Sequence, residues 1–246
     1  MSRSVHPRPR ILFFGDPHGD FRSVIRAVEC HHPEAIILLG DIQARKPLHL
    51  ELATIRHQTD IWFIHGNHDT DSDADYDNLW GSELADRNLH GRVETVAGFK
   101  VAGLGGIFRE KIWHPEQPID DATFESPERL LRQVNWSDKA RTLDTWRAGI
   151  SRRHRSTIFP SDFNALAGLD ADILVTHEAP SAHRHGFRVV DELAISLGVE
   201  LLVHGHHHES IDYLAEGKQD RTSSFRVFGV DKGDHLAWPL QQESWP

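Results

Sequence analysis

Apolar residues in this chain cluster in short runs, each followed by a polar turn. Residues 10–15 (Arg-Ile-Leu-Phe-Phe-Gly) are a short β-rich run ending in glycine, and they predict a buried strand. Residues 20–31 carry Phe21, Val24, Ile25 and Val28 at helical spacing, with Asp20 as the expected N-cap. Residues 35–40 predict a second buried strand, 48–57 a second helix, and 60–66 a third strand. This β-α-β-α-β order implies a parallel sheet. Residues 70–91 are polar and predict a loop and a short helix. Residues 92–96 and 99–104 flank Ala97-Gly98 as a hairpin. Regular alternation breaks at 107–160, which holds Trp113, Trp136 and Trp146 and an arginine run (Arg141, Arg147, Arg152, Arg153, Arg155). These residues are expected to form a mostly helical insertion or cap on a single domain spanning 1–246. Strands follow at 172–176, 200–203 and 224–230, with a helix at 189–197 stopped by Gly198.

Composition narrows the classes. A chain of 246 residues can build a substantial core. Its single cysteine permits neither an intrachain disulfide nor a thiolate zinc cage. The apolar runs are too short to span a bilayer, and the basic first ten residues lack the apolar stretch of a secretory signal. A cytoplasmic location and no membrane association are therefore expected. The formal charge of −10 disfavours an extended duplex nucleic-acid partner. Nineteen histidines against a surplus of acids suggest His/Asp chemistry, but only placement decides.

Placement is informative. The first strand runs into Gly15-Asp-Pro-His-Gly-Asp20, the second into Gly40-Asp41, and the third into His65-Gly-Asn-His-Asp69. The strand at 172–176 runs into His177, and that at 200–203 into His204-Gly-His-His-His208. Carboxyl ends of parallel strands share an edge, where ligand sites lie. Carboxylate, imidazole and amide donors suit Mn, Fe, Zn or Ni. Asp16 and His18, at i and i+2, point to one face of an extended segment, as do His206 and His208. The donors exceed what one ion needs, so two ions are expected, roughly 3.5–4 Å apart and bridged by a carboxylate.

The ordered set Asp-x-His, Gly-Asp, Gly-Asn-His-Asp, a lone His after a strand, and Gly-His-x-His resembles the calcineurin-like metallophosphoesterase superfamily. The resemblance implies a four-layer α/β/β/α sandwich of two mixed sheets flanked by helices. It implies that Asp16, His18, Asp41 and His208 hold one ion, and that Asp41, Asn67, His177 and His206 hold the other, with Asp41 bridging. His68 would contact the phosphate or protonate the leaving oxygen, and Asp69 would orient its imidazole. Two departures leave the ligands untouched. The Gly-Asp-x-x-Asp-Arg-Gly segment of related phosphatases has Ala44 and Lys46 here, with Arg45 at the phosphate-binding arginine, and His207 replaces a small residue. Arg45, His183 and His185 are candidate substrate contacts. His65 and His204 are expected to pack, His207 to lie on the surface, and the arginine run to be a solvated helix face.

The leading expectation is a dinuclear phosphoesterase, with a metal-bridging hydroxide attacking phosphorus in line. Its substrate would be a small phosphomonoester or diester, nucleotides included. Two alternatives stand beside it: a nucleotide or nucleic-acid phosphodiesterase, and a non-catalytic metal-bound scaffold.

Overall fold

A computed structural model describes residues 9–133, 147 and 149–240. The first sheet contains β1 (Ile11–Phe14), β2 (Ala35–Leu38) and β3 (Asp60–Phe63), all parallel, and β10 (His235–Trp238) antiparallel to β1. The second contains β4 (Arg92–Val96), β5 (Phe99–Leu104), β6 (Ile173–Thr176), β7 (Leu201–His204), β8 (Ile211–Asp212) and β9 (Arg226–Gly229). Their order is β4-β5-β6-β7-β9-β8, with the four inner strands parallel and both edge strands antiparallel.

Alternation along each strand builds the layers. From β1 and β2, Ile11, Phe13, Ala35 and Ile37 face Val101, Ile173, Val175, Leu201 and Val203 of the other sheet in one apolar core. The intervening Leu12, Phe14, Ile36 and Leu38 meet Val24 and Val28 of α1 (Arg22–His31) and Leu48 of α2 (Leu48–Glu51) on the outside. Across the molecule, Ala102, Leu174, Leu202 and Val227 pack on Val190, Leu193 and Leu197. Those three belong to α6 (Arg188–Leu197). Both faces of each sheet are thus covered, giving the expected four-layer sandwich. Strands buried on both faces read as continuous apolar runs, and that made them visible in the sequence.

Several local expectations change. Asp20 does not cap α1: Phe21 holds that position, and Asp20 instead accepts from the Arg22 backbone and guanidinium. The second helix ends at Glu51, and residues 52–58 continue as turns with i→i−3 bonds such as Ile55 N to Leu52 O. The short helix expected within 70–91 is α3 (Asp73–Trp80), with a Ser72–Asp75 capping box.

Among the described residues, the insertion is helical in short pieces. It holds a 3-10 turn at Ile119–Asp121, α4 (Pro127–Gln133) and a 3-10 turn at Arg152–Ser156, and α5 (Pro160–Leu166) begins at its end. Trp113 is buried edge-on against Phe108 and Phe163, as packing rather than an exposed stacking platform. Trp136, Trp146 and Arg141 lie outside the described residues. Among the described residues, no helix is long and apolar enough to cross a membrane.

Candidate metal centre

Five strand ends, three from the first sheet and two from the second, deliver the polar residues to one place. β1 leads to Asp16 and His18, β2 to Asp41, β3 to Asn67 and His68, β6 to His177, and β7 to His206 and His208. The loops cross-link: His18 N donates to Asp41 O at 2.9 Å, and Gly19 N to Ile42 O at 2.9 Å. The turns are sharp. Asp16, His18, Asp41, Gln43, His206 and His208 all hold positive φ, between +27° and +70°. Non-glycine residues rarely adopt this region, and its concentration here marks a functional site. Gly66 follows the same logic, because a Cβ there would collide with the Asp41 carboxylate.

The donors form two groups sharing Asp41. On one side His18 Nε2 lies 3.2 Å from His208 Nε2 and 3.9 Å from Asp41 Oδ2, and His208 Nε2 lies 3.5 Å from Asp16 Oδ2. On the other, His177 Nε2 lies 3.4 Å from Asp41 Oδ1 and 3.2 Å from Asn67 Oδ1. Asp41, His177 and His206 each place a donor atom within 4.8 Å of the others. Outer partners aim the rings: His177 Nδ1 donates to Leu39 O at 2.8 Å, and His18 Nδ1 to Gln43 Oε1 at 2.6 Å. Each ring thereby keeps Nε2 for the centre.

The electrostatics suit a cation. Asp16 and Asp41 are buried, and Asp16 Oδ1 has no hydrogen-bond partner. Burial pushes the Asp16 carboxyl up to about 7. Burial acts most strongly against the Asp41 charge, but the His177 charge and hydrogen bond together with the His68 N–H and ring outweigh it and hold Asp41 below the usual carboxylate range. Burial, seconded by His177, pulls His206 down to about 4, which keeps it a neutral donor. An orphaned buried carboxylate oxygen in a cluster whose His206 ring is held neutral is what a bound cation would satisfy.

His68 stands at the rim, with about 45% of its side chain exposed. Its backbone N–H donates to Asp41 Oδ1 at 2.8 Å, and its ring Nδ1 pairs with Asp71 Oδ2 at 2.5 Å. Burial lowers its pKa somewhat, but Asp71 and Asp41 outweigh that and hold it above the ordinary value. The orienting role expected of Asp69 therefore belongs to Asp71. Asp69 is fully buried, and its carboxylate instead accepts from Gln43 N and Gly66 N, both at 2.8 Å, tying the β2 loop to the β3 loop.

The candidate substrate contacts divide. Arg45 is exposed and lies against Gly19, one residue beyond His18. His185 is exposed, whereas His183 is buried and stacks on His207 at 3.9 Å between ring centroids. His207 is thus a packed residue rather than the surface one expected, because the tight turn at His206 folds it back on this ring. His65 and His204 are buried packing residues as expected. Two described arginines of the run are not on a solvated helix face: Arg152 donates to Thr70 O at 2.9 Å and Asp71 O at 2.7 Å and pairs with Asp73, while Arg147 clamps Asp77. Three further residues escaped the sequence: Asp71, Gln43 and Glu178. Glu178 is buried beside His177 and accepts from Phe108 N at 3.0 Å, and its only sequence signal was adjacency to a ligand.

The sequence profile of the calcineurin-like phosphoesterases matches residues 9–210. An uncharacterized protein of Haemophilus influenzae is 39% identical over 233 residues, covering 92% of this chain and 96% of that one. The crystal structure of TT1561 of Thermus thermophilus superposes with a TM-score of 0.52 at 16% identity, covering 92% of this chain and 91% of that one, a likeness of fold. The chain belongs to the calcineurin-like phosphoesterase family, whose members are metal-dependent phosphoesterases.

Proposed function

We propose that the protein is a dinuclear metal-dependent hydrolase of a small phosphomonoester or phosphodiester. The supporting observation is the placement of Asp41. Its Oδ2 faces the His18 group and its Oδ1 faces His177, so one buried carboxylate serves both donor sets. Asp16, His18, Asp41 and His208 would hold one ion, and Asp41, Asn67, His177 and His206 the other. When bound, such ions acidify a water and neutralise charge on the phosphate.

The chain's own residues do the rest. Asp41 accepts from the His68 backbone and so fixes the rim residue relative to the centre. Asp71 holds His68 Nδ1, leaving Nε2 for the substrate. The same carboxylate favours the protonated ring, suited to handing a proton to the leaving oxygen. Asp69 locks the β2 and β3 loops together, so Asp41 and Asn67 keep their relative positions.

A phosphoester panel run with Mn²⁺, Fe²⁺, Ni²⁺ and Zn²⁺ in parallel tests the proposal. Hydrolysis of p-nitrophenyl phosphate or bis(p-nitrophenyl) phosphate that depends on added metal and is lost to a chelator is expected. Metal-loaded protein inactive across the panel would favour the scaffold reading.

A further inference from the structure

Arg109 sits where two parts of the site meet. The residue before it, Phe108, donates its N–H to Glu178 Oε1 at 3.0 Å, which ties this strap to the neighbour of His177. The Arg109 Nε donates to Thr157 Oγ1 at 3.1 Å, and Ile107 pairs with Thr157 as an isolated bridge. Thr157 directly follows the 3-10 turn at Arg152–Ser156. That turn is pinned to the His68 loop by a 2.7 Å hydrogen bond between Thr70 and Ser156 and by the Arg152 bonds to Thr70 O and Asp71 O. Arg109 is therefore braced between the His177–Glu178 segment and the His68–Asp71 segment.

Its charge is not consumed there. Asp71 is committed to His68, and Glu178 is committed to the Phe108 N–H. Among the described residues, neither Arg109 nor Arg153 makes an ion pair with a carboxylate. Arg153, exposed on the same 3-10 turn, makes no side-chain hydrogen bond among them. Burial and then the Arg153 charge pull the Arg109 guanidinium below its ordinary value, against the weaker opposing pull of Asp71 and Glu178. The two arginines meet at Thr157, whose Oγ1 accepts from Arg109 Nε and donates to Arg153 O. Arg109 is half-buried and neither is ion-paired among the described residues, an arrangement that an external anion relieves.

We propose that Arg109 and Arg153 form an anion-binding subsite at the rim of the metal centre, which takes a second phosphate or carboxylate carried by the substrate beyond the ester undergoing hydrolysis. The role assigned to that anion rests on the phosphoesterase reading; the binding of the anion does not. The subsite gives the insertion a function, since residues 107–109 and 152–157 hold both arginines on the segments that bridge His177–Glu178 and His68–Asp71. It also defines the substrate class as phosphoesters bearing at least two anionic groups.

The test compares binding of propylphosphonate with alkane α,ω-bisphosphonates of graded chain length, by calorimetry on metal-loaded protein. None of these can be hydrolysed. Wild type is expected to bind at least one bisphosphonate about tenfold tighter than propylphosphonate. Arg153→Gln should reduce that preference, and Arg109→Gln combined with Arg153→Gln should erase it, with propylphosphonate affinity within about twofold of wild type. A wild type with no preference at any length, or a double variant that keeps it, overturns the subsite. Arg153→Gln alters an exposed residue, so it decides the matter if the double variant does not melt cooperatively. Hydrolysis of p-nitrophenyl phosphate and bis(p-nitrophenyl) phosphate, measured alongside, separates the two ideas: the absence of both in wild type overturns the phosphoesterase reading while the binding comparison still decides the subsite.

Discussion

Two groups of histidines lie side by side in this protein and meet different neighbours. His18, His177 and His208 face carboxylates, with Asp41 and Asp16 between 3.4 and 3.9 Å from their ring nitrogens. His183, His204 and His207 mainly face other rings, with Glu209 3.9 Å from His183 Nε2 and Glu178 near His207 at the edge of the group. His183 stacks on His207, and His204 Nδ1 donates to Gly205 O while its Nε2 accepts from the Tyr213 hydroxyl at 2.9 Å. Burial drives His204 down to about 4, and burial with the His183 charge drives His207 down to about 3. The first group shares two buried carboxylates, and the second packs mainly ring on ring, with carboxylates only at its edge. The lesson is that abundance of histidine carries little meaning until the carboxylates between the rings are located.

That contrast can be broken most severely at its centre. Asp41→Asn removes the carboxylate common to both donor sets, and it should lower metal-dependent hydrolysis by about 10³-fold or more in steady-state assays. His68→Ala should lower kcat by about 10²-fold or more. The neighbouring carboxylates then separate by role. Asp71→Asn should cost about tenfold in kcat with melting unchanged. Asp69→Asn loses an acceptor for one of two buried N–H groups, so it should cost about 1–3 kcal/mol of stability in denaturant titrations.

Metal removal distinguishes the groups through stability. Loading at a hundredfold excess over the dissociation constant adds about 2.7 kcal/mol, so chelation should lower the melting temperature by about 5–10 °C. His204→Gln should leave that metal-induced shift intact, because His204 belongs to the packed group. The smallest effect is acid sensitivity. The folded state holds His204 well below the ordinary histidine value, so the unfolded chain takes the proton first. This contribution to stability is complete above about pH 6.5 and is lost as pH falls towards 4. Melting curves across that window should fall less steeply for His204→Gln than for wild type, and parallel curves would refute the assignment.

Much of this was legible because the central strands of both sheets are covered on two faces and so read as apolar runs, most of them leading into glycine and ligand-type residues. β10 was not legible: residues 235–238 are half-exposed, and their pairing with β1 spans almost the whole chain. The confusion of Asp69 with Asp71 has a local cause. His68–Thr70 forms a 3-10 turn, and with three residues per turn the side chain at i+3 lies beside His68, while the one at i+1 turns inward. The contacts that bring Arg109 and Arg152 to the site span dozens of residues and leave no periodic trace.

The most direct test joins metal content to activity in the same preparations. Elemental analysis of wild type should give two bound ions per chain, with hydrolysis of p-nitrophenyl phosphate or its diester proportional to occupancy. In Asp41→Asn both ions and activity should fall together. An Asp41→Asn protein that folds normally, keeps its metal and hydrolyses these esters at the wild-type rate would contradict the account.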